Sequence, residues 1–187
     1  MTTSLQPTDM AYLRRGAAGA VAAAVAELRA RGLVVMMRNR RLARSEKAVP
    51  GDVSPLAATV HASLNPPTLL GDLRSVPAVR EALQTIDATL TEAQLLSARP
   101  RGLAALATLA TGRRTAEGKR LLTELRERHR DLKPSRHEAA WNTVSPEQVA
   151  TSVALFGASA LYGLDPMTGD GPGLRSSTDA QGGGGLG

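Results

Sequence analysis

The sequence predicts a mainly α-helical protein that ends in a disordered, glycine-rich tail. Segments of high helix propensity, with apolar side chains three or four residues apart, recur along its 187 residues, and the first of them is rich in alanine. A run of β-type residues near positions 33–44 predicts one small hairpin. Residues 165–187 have eight glycines and two prolines but almost no large apolar side chain, which is typical of disorder.

The first predicted unit, residues 1–50, begins with two helices. We expect Asp9 to cap a short helix that ends near Arg15, because Gly16 interrupts the helical pattern. Residues 17–31 predict a second helix of high propensity, which Gly32 ends. Its apolar stripe consists of Val21, Val25 and Leu28.

The hairpin follows these two helices. Residues 33–37 and 41–44 predict two strands, joined by the polar turn 38–40. Two helices followed by a hairpin are the outline of a winged-helix-like unit, and residues 38–41 would form its wing.

Residues 51–98 predict a second, degenerate winged-helix-like unit. We expect a helix over 55–64, a short helix over 68–73 and a longer helix over 76–90. This order is similar to that of the first unit, and the sequence therefore predicts a tandem arrangement.

The rest of the chain predicts a linker, a helical segment and the tail. Proline and glycine are typical of a linker over 99–114. Within the helical segment 115–164, Thr115 caps an amphipathic helix that Pro134 ends, and Ser145 with Pro146 starts a last helix that reaches about Leu164. The disordered tail covers 165–187.

Charge is concentrated in two blocks of a chain whose net charge is +6. Residues 29–47 hold seven basic side chains and one acidic one, and residues 99–136 hold eleven basic and four acidic ones. Such blocks are compatible with binding to nucleic acid, to anionic lipid or to an acidic protein. The candidate anion or nucleic-acid contacts are Arg38, Arg40, Arg41 and Arg44.

The chain offers little material for catalysis. It has no cysteine and three histidines, and we expect His61 to be a partly buried structural residue. The only local cluster of metal-ligand types is interrupted by a proline: His129, Asp131, His137 and Glu138. The segment around Ser159 lacks the second glycine of a nucleophile elbow, and no phosphate-binding loop is found. The sequence predicts no enzymatic activity, no cofactor and no metal.

Hydropathy predicts a cytoplasmic protein. No segment reaches the roughly 18 uncharged apolar residues that a spanning helix needs. Arg14 and Arg15 precede an alanine-rich run, but alanine is a weak substitute for the leucine-rich core of an export signal.

Several motifs together resemble an uncharacterised bacterial membrane-protein family, of the actinobacterial type, with a Gly/Cys-rich low-complexity C-terminal tail. They are DMAYLRRG over 9–16, RGLV over 31–34, TAEGKRLL over 115–122, VALFGA over 153–158 and Asp165-Pro166 before the glycine-rich end. This chain resembles a form without the family's hydrophobic spans and cysteines. The resemblance implies membrane association as the alternative location, and docking onto a peptide-modifying enzyme as a role.

Three functional hypotheses follow. The first is a non-catalytic protein-interaction or scaffold protein with a protein partner. The second is a DNA-binding transcription regulator that uses Arg38, Arg40 and Arg41; against it, the helix at the recognition position, residues 17–26, presents almost only methyl groups. The third is a peripheral membrane protein held by the block 113–136.

Overall fold

Five α-helices and a three-stranded sheet make up the part of the chain that the computed structural model describes, residues 5–98, 114–133 and 144–157. In chain order they are α1 (Pro7–Ala30), β1 (Val34–Met36), β2 (Arg41–Arg44), α2 (Pro55–Ala62), β3 (Thr68–Leu69), α3 (Pro77–Glu92), α4 (Ala116–Arg128) and α5 (Pro146–Phe156). Short 3₁₀ turns occur at Leu73–Ser75 and Arg130–Leu132. The prediction of a mainly helical protein with one small hairpin is confirmed.

Helix α1 lies at the centre of the core. It packs most extensively against α5 and also contacts α2, α3 and α4. Every residue from Ala20 to Leu28 is buried, and four of the alanines are fully so, which lets the neighbouring helices approach closely. The predicted break at Gly16 is confirmed as a kink, since its φ of 65° and ψ of −155° are not helical.

The start of α1 differs from the prediction. Asp9 is not the capping residue but lies inside the first turn, where its carboxylate accepts a hydrogen bond from the backbone N–H of Gln6 at 3.1 Å. Burial raises the pKa of the Asp9 carboxyl above its ordinary value, although this hydrogen bond acts in the opposite direction.

The sheet has the order β1-β2-β3, and both pairs are antiparallel. The predicted hairpin is confirmed, with Val35 opposite Ala43. The short helix predicted over 68–73 is wrong: Thr68 and Leu69 pair with β2, and only 73–75 form a helical turn. The second edge of β2 offers unpaired backbone groups, and pairing with it overrides the local preference of residues 68–69.

The other predicted helices are present, with two differences at their ends. Thr115 and Ser145 cap α4 and α5 by accepting hydrogen bonds from Gly118 and Gln148. Helix α4 stops at Arg128 and continues as a 3₁₀ turn. Helix α5 stops at Phe156 rather than near 164, because Gly157 has a φ of 90° that a helix cannot contain.

One continuous core includes side chains from both predicted winged-helix-like units and from α4 and α5. The boundaries between the predicted units, at residues 50/51 and 98/99, stay a prediction. The linker over 99–113 and the tail over 165–187 lie outside the described residues. Within the described segments, no helix is long and apolar enough to cross a bilayer.

Candidate functional site

The four arginines singled out from the sequence all lie on the hairpin, and all four are exposed. Arg38 and Arg40 belong to the turn, and Arg41 and Arg44 are the first and last residues of β2. No acidic side chain of the described segments forms an ion pair with any of them. The hairpin therefore carries positive charge that its structural neighbours do not neutralise.

The turn holds one arginine in an unfavourable backbone conformation. The N–H of Arg40 donates to the carbonyl of Met37 at 2.9 Å, and the N–H of Met37 donates to the carbonyl of Arg41 at 2.8 Å. The side chain of Asn39 accepts a hydrogen bond from the N–H of Arg41. This arrangement places Arg40 at a φ of 61°, in the left-handed region where hairpins of this type favour glycine.

The face of the sheet turned away from the core carries an apolar cluster. Because side chains alternate along a strand, the register places Met37, Arg41 and Leu69 in one cross-strand row and Val35 beside Ala43 in the next. We call these five residues the outer face. Its large apolar side chains are well exposed, Val35 at 50%, Met37 at 40% and Leu69 at 37%. Of the described residues, only Val49 is another exposed large apolar side chain.

The opposite face of the sheet belongs to the core. Val34 and Leu42 are buried there, and Met36 is partly buried. Arg44 follows the same alternation and lies opposite Val34, at the far end of β2 and about 10 Å along the strand from Arg41. The structure thus brings Arg38, Arg40 and Arg41 to one end of the sheet and separates Arg44 from them.

Arg41 connects the outer face to β3. Its Nη1 donates a hydrogen bond of 3.0 Å to the carbonyl of Pro67, in the segment that leads into β3. A guanidinium has five N–H donors, and this bond uses one of them. Among the described residues, the other four donors have no hydrogen-bond partner.

Polar contacts at the base of the hairpin fix its position against α1. The Glu27 carboxylate is buried and accepts hydrogen bonds from the backbone N–H of Ser54 at 3.1 Å and from its hydroxyl at 2.7 Å. Arg31 donates two hydrogen bonds to Asp52, at 3.0 and 3.1 Å. These bonds hold the pKa of Asp52 below its ordinary value. The chain segments before and after the hairpin are therefore anchored to one another.

Most of the helix at the predicted DNA-recognition position is buried. Residues 20–26 of α1 are buried in the core, so this part of the helix has no face that can enter a DNA groove. Part of the second basic block lies on α4, where Arg120 is paired with Glu117 at 2.9 Å and with Glu124 at 3.6 Å. Much of the block, residues 99–113 and 134–136, lies outside the described residues.

The residues considered for chemistry are dispersed. In the described ranges, no group of three His, Asp or Glu side chains could hold a metal ion. His137, Glu138 and Ser159 lie outside those ranges. His61 is buried at 8% exposure, as a structural residue would be, and its Nε2 has no hydrogen-bond partner among the residues described.

The arginines of this surface are recognisable in the sequence, but its apolar part is not. The sequence pattern predicts a helix at Leu69, although Pro66 and Pro67 directly before Thr68 indicate extended chain. Val35 and Met37 lie in a continuous apolar run, in which alternation between two faces cannot be recognised.

Comparisons with known proteins find no relative of this chain. No family model, curated protein or solved structure matches the chain.

Proposed function

We propose that the chain is a non-catalytic protein-interaction module that contacts its partner through the outer face. The observation that carries this proposal is the exposure of Val35, Met37 and Leu69 on one face of the sheet. Transferring such side chains from water to an apolar contact is favourable by about 25 cal/mol per Å². Exposed apolar patches rimmed by polar residues mark interaction sites.

The winged-helix-like interpretation belongs to this proposal. The hairpin takes the place of the wing, and it contacts protein instead of DNA. Since residues 20–26 of α1 are buried, we give that helix no part in base recognition. A peptide-modifying enzyme, which the family resemblance implies, is one candidate for the partner.

Affinity purification with matched variants tests the proposal. The chain is produced at its native level as wild type, as the outer-face variant Val35→Ser, Met37→Ser, Leu69→Ser, and as the control Val49→Ser. The control removes the exposed apolar side chain that lies outside the sheet. All three should have the same circular-dichroism spectrum, because none of the replaced side chains is buried.

We expect a protein that is recovered with the wild type and with Val49→Ser but lost with the outer-face variant. Equal recovery with all three would show that contacts are made elsewhere. Recovery of the chain alone in every preparation would overturn the interaction proposal.

A further inference from the structure

We infer that the outer face binds an acidic and apolar peptide segment of the partner, in which carboxylates alternate or mix with aliphatic side chains. This inference rests on the proposed function and specifies the chemistry of its partner. It is carried by the charge that surrounds the apolar cluster. Residues 33–45 contain four arginines and no aspartate or glutamate, and residues 66–70 contain no charged side chain.

Arg41 is placed to bind a carboxylate within the apolar contact. It lies in the cross-strand row between Met37 and Leu69, with one hydrogen bond to Pro67 among the described residues. A carboxylate that reaches this row can accept two parallel hydrogen bonds from the guanidinium, while the neighbouring aliphatic side chains of the segment contact Met37 and Leu69.

Arg40 supports the same chemistry. A left-handed conformation is unfavourable for a residue with a Cβ, and glycine would adopt it without strain. An arginine at this position keeps a positive charge beside the outer face, although it makes the turn conformation less stable than a glycine would. Strain of this kind is concentrated at functional positions.

Two other anionic partners fit the surface less well. A nucleic-acid backbone would use the arginines but would leave Val35, Met37 and Leu69 exposed to water. A bilayer is penetrated by apolar residues that protrude. The tip of this hairpin is Arg38-Asn39-Arg40, and the apolar side chains lie on the outer face behind it. A peptide segment is the partner that satisfies both the charge and the apolar row.

Fluorescence anisotropy with defined probes tests the inference on the full chain. Four short peptides of equal length are compared, and each consists of two residue types. The pairs are leucine with glutamate, leucine with glutamine, leucine with lysine, and serine with glutamate. A random-sequence DNA duplex and phosphatidylserine vesicles serve as the other anionic probes. The proteins are the wild type, the outer-face variant, the charge variant Arg38→Gln, Arg40→Gly, Arg41→Gln, and the control Arg128→Gln on α4.

We expect the leucine–glutamate peptide to bind about tenfold more tightly than the leucine–glutamine peptide, from three weak ion pairs, and to lose this advantage at high salt. The charge variant should abolish the difference between these two peptides. The outer-face variant should weaken both, and Arg128→Gln should change neither.

Other results would overturn the inference in distinguishable ways. If both leucine peptides bind equally and only the outer-face variant weakens them, the interaction surface stands but its acidic partner does not. If no peptide depends on the outer face, the proposed function fails as well. Tighter binding of the duplex or of the vesicles, with the same dependence on Val35, Met37 and Leu69, would assign the surface to that partner instead.

Discussion

Replacing Arg40 by glycine should stabilise the protein while it removes a charge from the contact surface. At a φ of 61° the side chain of Arg40 forces its Cβ towards the following carbonyl, which costs about 1–2 kcal/mol. Glycine avoids this cost but loses about 0.5–1 kcal/mol more conformational entropy on folding. The net gain is about 0.5–1 kcal/mol, or roughly 1–4 °C in the midpoint of thermal unfolding for a protein of this size.

The matched control is Arg38→Gly, which removes a guanidinium from the same turn. Arg38 is not among the described residues with positive φ, so glycine relieves no strain there and should lower stability by about 0.5–1 kcal/mol. Thermal unfolding followed by circular dichroism, with urea unfolding as a second measurement, gives both values. If Arg40→Gly destabilises the protein as much as Arg38→Gly, the conformation assigned to the turn is incorrect.

Two further predictions concern the rest of the fold. Gly118→Ala would press a Cβ against the carbonyl oxygen of Leu95, so we expect the free energy of unfolding in urea to fall by about 1–3 kcal/mol. The control Gly71→Ala has open space around it and should change this free energy by no more than about 0.5 kcal/mol. Equal effects of the two substitutions would contradict the packing of α4. The carboxyl of Asp52 should titrate by NMR below its ordinary pKa, and Arg31→Met should raise that pKa. Because this pKa is lowered, the stabilisation from the Arg31–Asp52 pair is complete above the ordinary pKa and is lost as the pH falls through the lowered value. An unchanged titration of Asp52 in Arg31→Met would exclude the pair.

The helices were predictable because their signals are local. Thr115 and Ser145 each cap the helix that follows, and Pro146 occupies the first turn, where its missing N–H costs nothing. Gly157 carried a local signal too, since a glycine at the end of an apolar run is a common helix terminator. The prediction that α5 continues to about Leu164 gave that glycine too little weight.

The outer face was not predictable in the same way, because tertiary pairing creates it. Leu69 joins Met37 and Arg41 only through the pairing of β3 with β2, between segments more than twenty residues apart. Likewise, the alanine-rich composition of residues 17–26 indicates that they are poorly suited to reading bases. Only the packing of α5 and α3 around α1 shows that much of this helix is buried. Local patterns thus identified the charges, and the fold supplied their apolar neighbours.

The central claim is that the outer face is where this chain contacts another protein. Photo-crosslinking in cells tests it most directly, with a photoreactive phenylalanine derivative placed in turn at Val35, at Leu69 and, as a control, at the exposed Glu81 of α3. We expect a covalent adduct with the same second protein from Val35 and from Leu69, and none from Glu81. No adduct from either outer-face position, or an equal yield from all three, would contradict it.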